Sequence, residues 1–217
     1  MATTNTREII LSAAEGLFAD HGLAGTSLRG ITTHAGVNLA AVNYHFGSKE
    51  ALIQAVFRRR LDALNTERLG RLERVQSRAA DGAASLRGTL EAFIVPALEM
   101  SHDPEHGGVV FMRLLARVMS ERDRALRAFL SDRYGHVIKR FADVLGRALP
   151  DLSDEDLFWR LNFVVGALTY AMAEVVWEHD DSARELADLA TRLVDFAEAG
   201  LTSVTPAQSR ISAGVVA

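Results

Sequence analysis

The sequence predicts an all-α protein, in which an N-terminal helix-turn-helix domain of three short helices leads into a larger C-terminal helical domain. Three observations carry that expectation. Apolar residues recur at helical spacing along almost the whole chain, and no segment alternates with period two. Ser, Asn or Asp stands before most apolar runs and Gly or Pro after them, which are the caps and stops of helices of ordinary length. A chain of 217 residues at 48% hydrophobic can bury a sizeable core and suits one small domain plus one larger one.

The first helix is expected from Asn5, whose spacing to Glu8 forms a capping box. Ile10, Ala13, Ala14, Leu17 and Phe18 then repeat at helical spacing before His21-Gly22 stops it. Ser27 caps a second helix that turns Leu28, Ile31 and Ala35 inward, and Gly36 offers a positive φ at its end. Asn38 caps a third, with Val37, Val42 and Phe46 as its inward stripe. Ser48 and Lys49 open a fourth helix, with Leu52, Val56, Leu61 and Leu64 inward, that reaches about residue 75 as an arm between the domains.

Residues 76–85 are polar and Gly/Ala-rich, hence a loop. A helix over 86–100 should kink at Pro96, SHDPEHGG is a turn, and apolar spacing resumes over 109–119 with Arg113 and Arg117 four apart. A long amphipathic helix over 125–149 ends at Pro150. Ser153 with Asp156 opens another, whose stretch 157–177 is apolar over most of its circumference. A final helix runs from about 182 to 200, and the tail 201–217 reads as disordered. These segments give expected domains at 1–50 and 51–200.

Between the caps at Ser27 and Asn38 and the lysine at 49, the second and third helices leave Leu39, Ala40, Asn43, Tyr44 and His45 facing outward. Small apolar groups mixed with amide, phenol and imidazole suit thymine methyls, base edges and phosphates in a major groove. With NTREIILSAAEGLFADHG before it and SKEALIQAVF after it, the stretch SLRGITTHAGVNLAAVNYHFGSK resembles the N-terminal domain of the TetR family of bacterial transcriptional regulators. The likeness covers residues 5–57, and YHFGSKEAL is its most specific part. It implies a homodimer that reads two half-sites of a double-stranded DNA operator, with Tyr44 and Lys49 on phosphates and Arg29 and Asn43 on bases. Two departures stand out. Gly30 interrupts the second helix, and Leu39 and Ala40 occupy positions where the family often has polar residues.

Charge is divided in the same sense. The net charge is −4, but residues 1–78 carry 10 Lys and Arg against 7 Asp and Glu, leaving the rest of the chain at −7. Arg58, Arg59, Arg60, Arg68, Arg71, Arg74 and Arg78 serve equally well as the solvated face of a long helix.

The C-terminal half is expected to hold an effector. Phe93, Met100, Phe111, Met112, Leu115, Met119, Phe141, Trp159, Phe163 and Tyr170 form an aromatic and methionine-rich set suited to an elongated apolar pocket or to ordinary core. The stretches FMRLLARVMSERDRALRAFL and DLFWRLNFVVGALTYAM resemble the branch of the family that is released from DNA by long-chain fatty acids or acyl-CoA esters. That likeness places an acyl chain among the aromatics and an acidic head near Arg113 or Arg117, unless these are surface or dimer charges. The helix over 157–177, with Gly166, Ala167, Ala171 and Ala173, and the final helix with Leu186, Leu189, Leu193 and Phe196, are read as a self-association surface; a central core helix in a monomer is the other reading.

Other classes find little support. No nucleophile elbow or phosphate-cradling glycine loop occurs, so no enzyme is expected. With no cysteine, disulfides and thiolate metal sites are excluded; His102, Asp103 and His106 fall in one turn without further ligands, so no metal or cofactor is expected. No run is long and apolar enough to cross a bilayer and no signal segment is seen, which points to the cytoplasm. The alternative function is a helical small-molecule-binding or scaffold protein that does not touch DNA.

Overall fold

The computed structural model describes residues 2–79, 84–103, 108–121, 123–174 and 182–203. Among these, nine helices follow in order: α1 (Ala2–Gly25), α2 (Leu28–Ala35), α3 (Leu39–Phe46), α4 (Lys49–Ser77), α5 (Leu86–His102), α6 (Gly108–Glu121), α7 (Arg124–Ala148), α8 (Asp154–Glu174) and α9 (Ser182–Thr202). His106, Trp177 and residues 204–217 lie outside the described residues.

Helix α1 begins at Ala2, so Asn5 is inside the helix and not its cap. Glu8 turns away from the helix end, towards Arg7 at 3.0 Å and Arg59 at 3.3 Å. The expected stop at His21-Gly22 is present in the backbone, because Gly22 takes φ 76° and ψ 167°, a conformation open to a residue without Cβ. Thr26 pins this break by donating its hydroxyl to Gly22 O at 2.8 Å and Leu17 O at 3.0 Å.

The turn between α2 and α3 is closed by local bonds. Ser27 Oγ accepts from Gly30 N–H at 3.0 Å, and Asn38 Oδ1 accepts from Ala41 N–H at 2.9 Å. At the end of α2, Gly36 sits at φ 64° and the N–H of Val37 returns to Thr32 O at 3.0 Å, satisfying a carbonyl the helix leaves open. Ile31 and Val42 are fully buried, with Leu28, Ala35, Val37 and Phe46 half-buried around them.

Helix α4 is capped by Ser48, whose Oγ accepts from Ala51 N–H at 3.0 Å. Its 29 residues make a rod about 43 Å long. It runs two residues beyond the expected end at 75.

The central helix of the larger domain is α5, which packs against α4, α6, α7, α8 and α9. Its interior holds Leu90, Ile94, Ala97 and Leu98 at 1% exposure or less, and it continues through the buried Pro96 to His102. Within the single chain, α8 is enclosed on one face only. α8 turns Leu157, Val164, Leu168, Ala171 and Met172 inward, but leaves Phe158, Trp159, Phe163 and Tyr170 exposed. Both faces of α8 are apolar, one mainly aliphatic and one aromatic, so periodicity gives no direction. Helix α5, with only Arg87, Glu91 and Glu99 charged along its length, is the one engulfed. The packed chain also extends past the expected boundary at 200, since Leu201 is 2% exposed.

Gly30 has ordinary helical surroundings: a Cβ there would meet Ser27 Oγ at 3.4 Å, and the residue is exposed. Gly30→Ala is expected to raise stability by up to about 1 kcal/mol, read as a shift in the denaturant midpoint with an unchanged slope.

Candidate functional site

At the head of the molecule, α1, α2, α3 and the start of α4 pack together and present α3 outward. Leu39 and Tyr44 are 48% and 79% exposed, and Ala40, Asn43, Arg29 and Ser27 are exposed beside them; His45 and Lys49 are half-buried at the edge. Asn38 and Ser27 are engaged as caps through their side chains. The side chains of Arg29, Asn43, Tyr44 and Lys49 make no hydrogen bond or ion pair with the described residues. The Tyr44 ring stands edge-on to His45 at 5.1 Å, which props the phenol away from the surface. Leu39, Ala40, Asn43 and Tyr44 face outward as helical spacing predicts, whereas His45, expected outward, is half-buried.

The head is held by α1. Glu15, with its side chain 5% exposed, accepts from Arg60 Nε at 3.0 Å and Nη2 at 2.8 Å, and it also receives Arg59. Arg59 reaches Glu8 and Ser12 as well. Two of the arginines read from sequence as DNA-end charge or solvated helix face therefore join α4 to α1.

Arg113 and Arg117, expected near a ligand's acidic head, reach α1 as well. Arg117 donates to Ala19 O and Asp20 O, both at 3.2 Å, and Arg113 lies 3.8 Å from the Asp20 carboxylate. The Gly22 break ends a helical run here, so the two arginines meet the negative end of its dipole.

In the larger domain, the expected pocket residues divide by burial. Phe93, Met100, Phe111, Met112 and Phe141 are buried, and Leu115 is half-buried against them. Phe93 and Phe141 meet edge to face at 5.1 Å, and Phe111 meets Phe57 of α4 at 5.6 Å. Trp159, Phe163 and Tyr170 point outward at 53%, 64% and 69% exposure, so the reading of them as interior is corrected. With Gly166 they fall on one stripe of α8, close to the 60%-exposed Phe196 on α9 in kind and exposure.

The arm is clamped to the domain along its length. Asp62 accepts from Arg133 at 2.8 and 3.1 Å and from Tyr134 at 2.7 Å. Burial raises the Asp62 carboxyl, but these bonds and the guanidinium charge outweigh it, leaving it below its ordinary range. Further along, Arg71 pairs with Glu99 of α5 at 2.6 Å, and Arg87 of α5 pairs with Asp195 of α9 at 2.7 Å. These arginines rim a cleft of about 390 Å³ between the end of α4, the start of α5 and α9. Arg71, Arg74 and Arg78 thus sit on the surface as expected. Arg68 does not: it is buried, with Nε donating to Phe93 O at 2.8 Å and its guanidinium 3.9 Å above the Phe93 ring. Its place in the Leu61, Leu64, Leu72 register was the available signal, since 61, 64, 68 and 72 share one helical face.

A capped, outward-facing helix on a small helical head, carried by one long helix into a larger helical domain, defines a helix-turn-helix DNA-binding regulator. The chain belongs to the TetR family. Residues 10–56 match "Bacterial regulatory proteins, tetR family", and residues 91–200 match "Tetracyclin repressor-like, C-terminal domain". It is 30% identical over 160 residues to the HTH-type transcriptional repressor KstR2 of Mycolicibacterium smegmatis, covering 71% of this chain and 72% of that one. Two solved structures share the fold. The fatty acid degradation regulator FadR from Bacillus halodurans aligns with a TM-score of 0.64 at 15% identity, covering 92% of this chain and 96% of that one. The ketosteroid transcriptional regulator KstR2 of Mycobacterium tuberculosis aligns with a TM-score of 0.60 at 19% identity, covering 88% and 93%. Ligand binding and dimerisation are typical of the family. No helix among the described residues is long and apolar enough to cross a membrane.

A Cβ at Gly166 would meet nothing within 4 Å, so Gly166→Arg is compatible with a folded protomer. Sedimentation is expected to show the parent chain as a dimer and this variant as a monomer with the same helical signal. A dimeric variant would move the interface off the aromatic stripe.

Proposed function

We propose that this chain is a repressor that sits as a homodimer on a palindromic operator and leaves it when a small apolar effector of the fatty-acid or acyl-CoA class enters the C-terminal domain. The carrying observation is the continuity of α4. It starts at Lys49, immediately after the recognition helix, and carries Phe57 against Phe111 and Arg68 against Phe93 in the aromatic core. A change in that core therefore acts on the same rigid rod that sets the angle of the reader. The head, residues 1–50, would act in the cytoplasm where the DNA is, and residues 51–200 would hold effector and partner.

The division of roles at the reader follows from reach and chemistry. Asn43 offers an amide pair suited to adenine, and Arg29 a fork suited to guanine. Tyr44 and Lys49 are placed for phosphates. Ser27, Asn38, Leu39, Ala40 and His45 complete the surface, with the two small apolar groups suited to thymine methyls. In the larger domain, Phe93, Met100, Phe111, Met112, Leu115 and Phe141 are the residues against which an acyl chain would pack. The aromatic stripe of α8, with Phe196 of α9, is the dimer face, which sets two recognition helices about one DNA turn, or a small multiple of it, apart.

An effector releases DNA only to the extent that it binds the DNA-incompetent spacing of the two readers better than the competent one. Two routes lead from the domain to the head: α4 itself, and α6, whose Arg117 grips α1. The kinship in fold with a fatty acid degradation regulator supports an acyl effector, and the repressor KstR2 supports the direction of control.

The test is a gel shift on the chain's own promoter region, with long-chain fatty acids and acyl-CoA esters titrated into the complex. Release without loss of helical signal is expected. If none of them releases DNA, the acyl class is wrong. If the free protein never shifts the DNA, the regulator reading of this site is wrong.

At the reader, Lys49→Ala is expected to weaken all DNA sequences similarly and to flatten the salt dependence by about one phosphate contact. Asn43→Ala should cost about 1–3 kcal/mol at one base pair of each half-site and relax the preference there. Affinities measured over a set of single-base operator variants at several salt concentrations separate the two.

A further inference from the structure

Arg68 is the anomaly in the larger domain. It is 8% exposed, and of its five N–H donors only the one on Nε meets an acceptor among the described residues, the carbonyl of Phe93. Among the described residues no carboxylate lies within ion-pair distance of it, and its guanidinium sits 3.9 Å above the face of the Phe93 ring. One turn earlier on the same face of α4, Asn65 is also 8% exposed, and its amide makes no hydrogen bond with the described residues. Elsewhere the chain neutralises its buried charge: Glu15 takes two arginines. A charged side chain this enclosed without a counter-charge is costly to a fold. Consistent with this isolation, burial alone pulls the Arg68 guanidinium down to about 9.

We propose that Arg68 and Asn65, on the inward face of α4, form the receptor for the anionic head group of the effector, whose apolar body lies against Phe93 and Phe141. This rests on the reading of the domain as the site of an amphipathic effector, and it moves the head-group position from α6 to α4. Four guanidinium donors without a protein acceptor stand beside the Phe93 ring, and an amide lies one turn away on the same face of α4, a combination that matches a carboxylate or phosphate joined to an apolar chain. The placement also gives the ligand a direct hold on the rod that leads to the reader. Occupancy supplies the counter-charge that Arg68 lacks, so the liganded domain is the one in which α4 is electrostatically satisfied.

The experiment compares wild type, Arg68→Met and Arg68→Lys by titration calorimetry with hexadecanoate, hexadecanoyl-CoA and methyl hexadecanoate. These present a carboxylate, phosphates and a neutral head on the same chain. Wild type is expected to bind at least one of the two anions about tenfold or more tighter than the ester; which anion leads identifies the head group. In R68M that preference should fall to within about threefold, while R68K keeps part of it. Equal binding of acid, CoA ester and methyl ester by wild type, or an undiminished preference in R68M, overturns the proposal.

If no acyl probe binds wild type, the acyl effector fails, and thermal unfolding in inorganic phosphate decides the receptor. Phosphate must then stabilise wild type and R68K more than R68M. Equal shifts in all three proteins overturn the proposal, as does an R68M protein that unfolds at a lower temperature than wild type without ligand, because the guanidinium would then be a structural group.

Discussion

The arrangement depends on one carboxylate. Glu15 of α1 receives both Arg59 and Arg60 of α4, and it does so in a place where water does not reach it well. Charges in such surroundings interact far more strongly than on the surface, and their geometry is fixed because losing one partner would strand the other. The head is thereby prevented from rocking on the arm. The outward helix α3 owes its aim to this knot as much as to its own caps, which secure its ends but not its direction.

A second attachment divides the labour. Next to the Gly22 break in α1, Arg117 of α6 donates to the carbonyls of Ala19 and Asp20. Helix α1 is thus held from below by the arm and from the side by the larger domain. Within that domain α5 is the axis around which the other helices pack, and Asp62 with Arg133 and Tyr134 fastens the arm to α7. The head follows any displacement of either α4 or α6.

Much of this was legible in the sequence because it is local. Ser27, Gly36, Asn38 and Ser48 announce helix ends through bonds made within three residues, so the head and the start of the arm could be laid out without knowing their neighbours. Asn5 misled because a capping pair is only two residue types three apart, and a helix that starts earlier silences it. The site in the larger domain was harder to read for a different reason. Periodicity assigns residues to faces, yet it does not say which face meets its own chain, a second copy or solvent. Trp159, Phe163 and Tyr170 satisfy the pattern of a core helix and stand outside. Arg68 satisfies the composition of a solvated helix and stands inside, and only its register with Leu61, Leu64 and Leu72 hinted at that. Arg113 and Arg117 were placed by charge, whereas a glycine about a hundred residues earlier decides where they go.

The aromatic stripe on α8 also has a meaning for how the protein exists at different abundances. Rings left in water at more than half exposure are an unfavourable state for a single copy, and in the dimer proposed above, covering them with another copy couples folding to association. Stability then ceases to be a property of the sequence alone and becomes a function of how many copies the cell holds. A newly made, dilute chain is the most vulnerable to unfolding and to capture by other apolar surfaces, and accumulation itself confers resistance.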